Sequence, residues 1–181
     1  VLHYFPTQVG AKWVYQQGAE EYSEAVTAVE DKYGGKLVTV ERTWKDRKAN
    51  LRWQMLVSAR GLFEAKGIGH PETRGFILIM LPRAPSAHFT PFEGSPEGWI
   101  AGSQFSTFVF TRSARPPERV RVPAGEFETL PVEERVVKLE FPATPNRGVT
   151  SVSWYALGVG LVKKVSHGEE TVLKSFTPGK D

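Results

Sequence analysis

RVRVPAGEFETLPVEERVVKLE, Arg119 to Glu140, is the stretch whose reading decides the fold. It reads as a strand, a turn at Pro123-Ala124-Gly125, and a second, long strand from Glu126 to about Leu139. Val149 to Val165, VTSVSWYALGVGLVKKV, is equally extended and is its natural neighbour in space. The two imply a large antiparallel sheet built late in the chain, onto which earlier hairpins pack. Within the long strand, Glu133-Glu134-Arg135 breaks the apolar pattern on both faces, which predicts an edge strand guarded by charge.

The earlier chain carries the same periodicity. Lys12 to Gln17 alternates, with Trp13 and Tyr15 on one side and Val14 on the other. Tyr22 to Glu30 has helical content in Ala and Glu, but Val26, Thr27 and Val29 favour a strand. The turn Asp31 to Lys36 decides the matter, because Leu37 to Trp44 beyond it is plainly β and needs an antiparallel partner before it. Leu51 to Val57 alternates, with Leu51, Trp53, Met55 and Val57 facing in. Phe76 to Leu81 is apolar on both faces and is expected to be deeply buried. Pro82 to Gly102 is a long irregular loop. Gln104 to Thr111, Thr150 to Tyr155, Leu161 to Val165 and Thr171 to Phe176 complete the strands, with Gly158 and Gly160 marking a bend or bulge. The expectation is an all-β single domain over 1–181, a strongly curved antiparallel sheet of about ten to twelve strands, half-barrel or barrel, with little helix.

Composition narrows the function. The formal net charge is only +3, with Lys and Arg scattered among Asp and Glu, so no contiguous basic face for nucleic acid is expected. With no cysteine, disulfides and thiolate chemistry are excluded. No window has the apolar length of a transmembrane helix, which argues against an integral membrane protein. The first residue is Val rather than Met, compatible with a chain whose targeting segment has been removed, so the sequence neither displays nor excludes an export signal.

Catalytic and metal patterns are weak. His3, His70, His88 and His167 stand singly; His70 with Glu72, or His88 with Glu93, would be a sparse metal site, and solvated loop histidines explain them better. Ser86, His88 and Glu93 are too close in one loop for a triad, and no nucleophile elbow is present. The acid pairs Glu20-Glu21, Glu133-Glu134 and Glu169-Glu170 point to opposite faces of a strand or lie in turns. Arg112, Arg115, Arg119 and Arg121 around Pro116-Pro117 could meet phosphate or a lipid headgroup, but interspersed Glu118 favours a solvated face. Neither a metal, a cofactor nor a catalytic residue is expected.

The aromatic surplus remains. With 11 Phe and 5 Trp, the residues Trp13, Trp44, Trp53, Met55, Phe63, Phe105, Phe108 and Trp154 exceed what a thin two-layer core needs. They either fill the core or line a concave face that takes an apolar ligand, with Pro82 to Gly102 as a lid carrying His88, Phe89, Phe92 and Trp99.

Val122-Pro123-Ala124-Gly125-Glu126-Phe127, the run Trp154 to Lys163, and the opening Tyr4-Phe5-Pro6, Val9-Gly10, Trp13 and Tyr15 together resemble the TapB-like families of exported bacterial β-proteins. More distantly, the architecture is similar to the lipoprotein carriers LolA and LolB, though without their plugging helices. The resemblance implies an extracytoplasmic location (periplasmic, secreted or lipoprotein-anchored) and a hydrophobic ligand, lipid or envelope protein partner, with no catalytic residue to carry over. The leading expectation is therefore a non-enzymatic binder of an apolar molecule. An interaction module with a filled core is the alternative, and a hydrolase using loop residues is third.

Overall fold

The computed structural model describes residues 4–46, 50–58, 61–65, 76–80, 106–140 and 144–180. Twelve strands run β1 (Lys12–Gln17), β2 (Glu20–Lys32), β3 (Gly35–Trp44), β4 (Asn50–Ser58), β5 (Gly61–Ala65), β6 (Phe76–Met80), β7 (Ser106–Ala114), β8 (Glu118–Val122), β9 (Gly125–Glu140), β10 (Thr144–Ala156), β11 (Gly160–Ser166) and β12 (Glu169–Thr177). All join one antiparallel sheet in the order β6-β5-β4-β3-β2-β1-β12-β11-β10-β9-β7, with β8 paired to β9. Neighbours in sequence are neighbours in space almost throughout, as hairpin turns dictate. The one long-range closure in the path is β1 on β12, which brings the two ends of the chain together. No described residue is helical.

The stretch Arg119 to Glu140 forms the β8–β9 hairpin, turning at Pro123 and Ala124 into Gly125 at φ 135°. β10 lies along β9 as expected, from Thr144 opposite Glu140 to Ala156 opposite Thr129. The run Val149 to Val165 bends at its glycines, as expected, and the bend is a full reversal. It folds at Leu157 to Val159 into the β10–β11 hairpin, with Gly158 and Gly160 in the positive-φ conformations that glycine adopts freely.

The edge-strand expectation for Glu133-Glu134-Arg135 is overturned. β9 is paired on both sides there, to Val152, Ser151 and Thr150 of β10 and to Ser113, Arg112 and Thr111 of β7. Glu133 is tolerated in that interior because Arg115, in the Arg115 to Pro117 link between β7 and β8, reaches back to its carboxylate with Nε at 3.0 Å and with Nη2. A contact eighteen residues distant in sequence replaces the water that an edge would have supplied.

The sheet is curved, with register shifts in five of its ladders. Each bulge bends its strand and adds right-handed twist. Curvature brings strands that are not neighbours within hydrogen-bond reach. The Tyr15 hydroxyl on β1 donates to Leu161 O on β11 at 2.9 Å, over the intervening β12. One face of the sheet, the inner one, thereby packs on itself. Its core is Phe5, Trp13, Tyr15, Tyr22, Val26, Val38, Val40, Met55, Val57, Leu62, Val122, Leu130, Val132, Val162 and Leu173. Leu51 stands on this face opposite Arg42, as expected, but near the start of β4 it remains 48% exposed.

Candidate functional site

Register fixes what the inner face carries. Tyr15, Tyr22 and Trp44 stand side by side across β1, β2 and β3, and the next row is Trp13, Glu24 and Arg42. A third row sets Val26, Val40 and Trp53 across β2, β3 and β4. An ion pair thus sits within an aromatic and aliphatic surface.

The β1 end of this face is sealed. Trp13 is 1% exposed, its Nε1 donates to Val159 O at 2.6 Å, and its ring packs on Phe5 and Phe176 with centroids 5.3 and 5.8 Å away. The Val159 carbonyl precedes Gly160, whose φ of 98° is a conformation that glycine adopts freely and other residues rarely do.

The middle is polar and buried. Glu24, 6% exposed, accepts both Nε (2.8 Å) and Nη2 (2.5 Å) of Arg42 on its Oε1. The guanidinium lies 4.3 Å from the Tyr22 ring centroid and 5.7 Å from that of Trp44. Burial pushes the Glu24 carboxyl above its ordinary range; the Arg42 charge pulls it the other way without overcoming the burial. Tyr22 is pushed up to about 12 by burial, against the pull of Arg42, and also hydrogen-bonds Thr171. Tyr15 is raised well above its usual value by burial first, then by the Glu24 charge and the neighbouring Tyr22 and Tyr155. At neutral pH both phenols are therefore neutral donors.

The β3–β4 end is open by comparison. Trp44 and Trp53 are half-buried against the core, and Leu51 beside Arg42 is exposed. Phe5 meets Trp53 edge-on at 6.3 Å. Trp53 Nε1 is itself buried and has no hydrogen-bond partner, unlike any other buried side-chain nitrogen or oxygen among the described residues.

Of the residues expected to bind ligand, the structure brings Trp13, Trp44, Trp53 and Met55 onto the inner face. Trp154 is not with them. It stands opposite Lys163, which stands opposite Val172, which stands opposite Gln16, the neighbour of Tyr15 that faces the other way. On that outer face its Nε1 donates to Glu118, and the Lys163 ammonium lies 5.6 Å over its ring. Phe63 and Phe108 occupy β5 and β7, but their side chains, like all of Phe105 and the lid residues His88, Phe89, Phe92 and Trp99, lie outside the described residues. The same holds for His3, His70, Glu72, Ser86 and Glu93.

His167 is an exposed turn residue whose Nδ1 meets Ser166 Oγ at 3.0 Å. The arginines form ion pairs, Arg115 with Glu133, and exposed Arg119 and Arg121 with Glu126 at 3.7 and 3.0 Å. Among the described residues no three His, Cys, Asp or Glu side chains gather to hold a metal, and no helix is long and apolar enough to cross a membrane.

Sequence reading missed Glu24, Arg42, Tyr15 and Tyr22 as a unit. The signal was a charge in the apolar stripe of two successive strands, Tyr22-x-Glu24-x-Val26 and Val40-x-Arg42-x-Trp44. Pairing them required the bulge between Val26 and Ala28, without which Glu24 would face Thr43.

No protein-family model matches the sequence, and no curated protein does at a significant level. Two solved structures share the fold. A candidate lipoprotein from Parabacteroides distasonis has a TM-score of 0.66 at 15% identity, over 97% of this chain and 99% of that one. A candidate exported protein with a YmcC-like fold from Bacteroides fragilis has a TM-score of 0.63 at 16% identity, over 98% and 100%. At such identity the likeness is one of fold, and it extends over nearly the whole chain.

Proposed function

We propose that this is a non-enzymatic protein of the extracytoplasmic space that holds an apolar or amphiphilic small molecule, such as a lipid, on the inner face of its curved sheet. The observation that carries the reading is the unequal sealing of that face. Trp13 is shut in at one end, while Trp44, Trp53 and Leu51 leave aromatic and aliphatic surface accessible around Arg42 at the other. Ligand sites are mostly apolar with a few convergent polar groups, and this face carries residues of both kinds. The buried, shifted Glu24 and tyrosines belong to such a site as fixed polar anchors. The extracytoplasmic location is supported by the two structures of like fold, one a candidate lipoprotein and the other a candidate exported protein, and by the resemblance to the TapB-like exported families.

Native mass spectrometry of protein purified from its source cells tests the reading. A bound lipid-sized mass, released on mild activation, is the expected result. A ligand-free spectrum under conditions that preserve a control lipid complex contradicts it.

A second reading, an interaction module, draws on β8, whose ladder among the described residues is with β9 alone. An extended segment of an envelope protein could add to its other edge. Under that reading the purified protein carries no lipid but retains a protein partner.

A further inference from the structure

We infer that the indole N–H of Trp53 is the donor that recognises the polar head of the ligand, and hence that the ligand is an amphiphile bearing a hydrogen-bond acceptor, a carboxylate or ester, rather than a pure hydrocarbon. The inference rests on the proposed binding role of the inner face and specifies its chemistry. The contrast among the described indoles carries it. Trp13 donates to Val159 O and Trp154 to Glu118, whereas Trp53 Nε1 is buried and donates to nothing. A buried donor without a partner is destabilising, and such groups in folded proteins call for a reason. Phenylalanine would continue the same stripe beside Val40 without the orphan donor, giving up only part of the ring contact with Phe5.

The position is suited to recognition. Trp53 lies at the open end of the inner face, diagonal to Arg42 and in edge contact with Phe5. Its Nε1 is closed to solvent by the surrounding side chains. An arriving acceptor therefore pairs with the donor as neighbouring side chains shift, the scale of adjustment common on binding. The hydrogen bond exists only in the complex, so its whole effect appears as affinity and none of it stabilises the free protein. The ligand's apolar remainder would lie along the accessible surface of Trp44 and Leu51 on either side of Arg42, since Val38 and Val40 are themselves fully buried.

Trp53→Phe separates this from a packing role. Binding of oleate, which carries an acceptor, and of 1-N-phenylnaphthylamine, chosen as a probe without a carboxylate or ester, is titrated by fluorescence on the full chain with and without the substitution. Oleate affinity is expected to fall about tenfold, the effect of one hydrogen bond to a buried donor, while the probe, which loses only the indole's extra contact area, weakens by about twofold or less. The melting temperature is expected to hold or rise, since an orphan donor has been removed; Trp53→Leu supplies a second variant should phenylalanine fit poorly. Equal oleate affinity in wild type and variants overturns the inference and leaves the binding role standing. Parallel loss of both ligands with a lowered melting temperature makes Trp53 a packing residue and also overturns it. Binding of neither ligand to the wild type overturns both.

Discussion

The two ends of the inner face use the same kind of residue for different purposes. At the β1 end an indole is 1% exposed, hydrogen-bonded and flanked by Phe5 and Phe176. At the β3–β4 end an indole is half-buried, unpaired and next to an exposed leucine. Between them lies one ion pair. The difference teaches that aromatic content alone does not separate a core from a binding surface. The satisfaction of polar atoms does, since a core built only for stability leaves none unpaired.

The sharpest way to break the comparison is at its centre. Arg42→Met leaves the Glu24 carboxylate buried without its partner and is expected to cost about 3–5 kcal/mol in urea denaturation at neutral pH. Part of that loss should return as the pH is lowered and Glu24 takes up a proton. Arg115→Met is the control on the outer face. There the acid is buried too but the arginine is itself 52% exposed, against 28% for Arg42, so the expected cost is smaller, about 1–2 kcal/mol. Equal costs would erase the distinction between the two acids.

Trp13→Phe, next in size, removes the donor to Val159 O and part of a filled core, and is expected to cost about 2–4 kcal/mol. The contrast with Trp53→Phe, which should not destabilise, is the comparison reduced to two variants.

The pH dependence follows. Burial raises the folded Glu24 value above the unfolded one, so its contribution to stability is fully present below the ordinary glutamate range and is lost as pH rises through the folded value. Glu24→Gln, which keeps an acceptor for Arg42, should flatten stability against pH over that window. An unchanged slope would show that Glu24 ionises as if exposed. Smallest is Leu51→Ser: at 48% exposure it should change stability by less than about 0.5 kcal/mol while weakening binding of an apolar probe.

Much of this architecture was legible in the residues. The Asp31 to Lys36 turn forced Tyr22 to Glu30 into a strand against its helical composition, and the Pro123-Ala124-Gly125 turn fixed the β8–β9 hairpin. Alternation placed Trp13, Trp53 and Met55 on one face, because that rule is local. What was illegible depended on register and distance. One extra residue near Thr27 brings Glu24 opposite Arg42, and a bulge leaves no mark in an apolar pattern. Glu133 looked like an edge residue because its partner, Arg115, lies beyond a turn and a whole hairpin arm. Trp154 looked like its fellow indoles, yet only the chain of pairings through β11 and β12 shows that it faces outward.

The most direct test of the account follows the indole N–H resonances of the five tryptophans by NMR as oleate is added. Trp53 is expected to shift markedly, with Trp44 following and Trp13 and Trp154 nearly still. Equal movement of Trp13 and Trp53, or a response confined to Trp154 on the outer face, would contradict it.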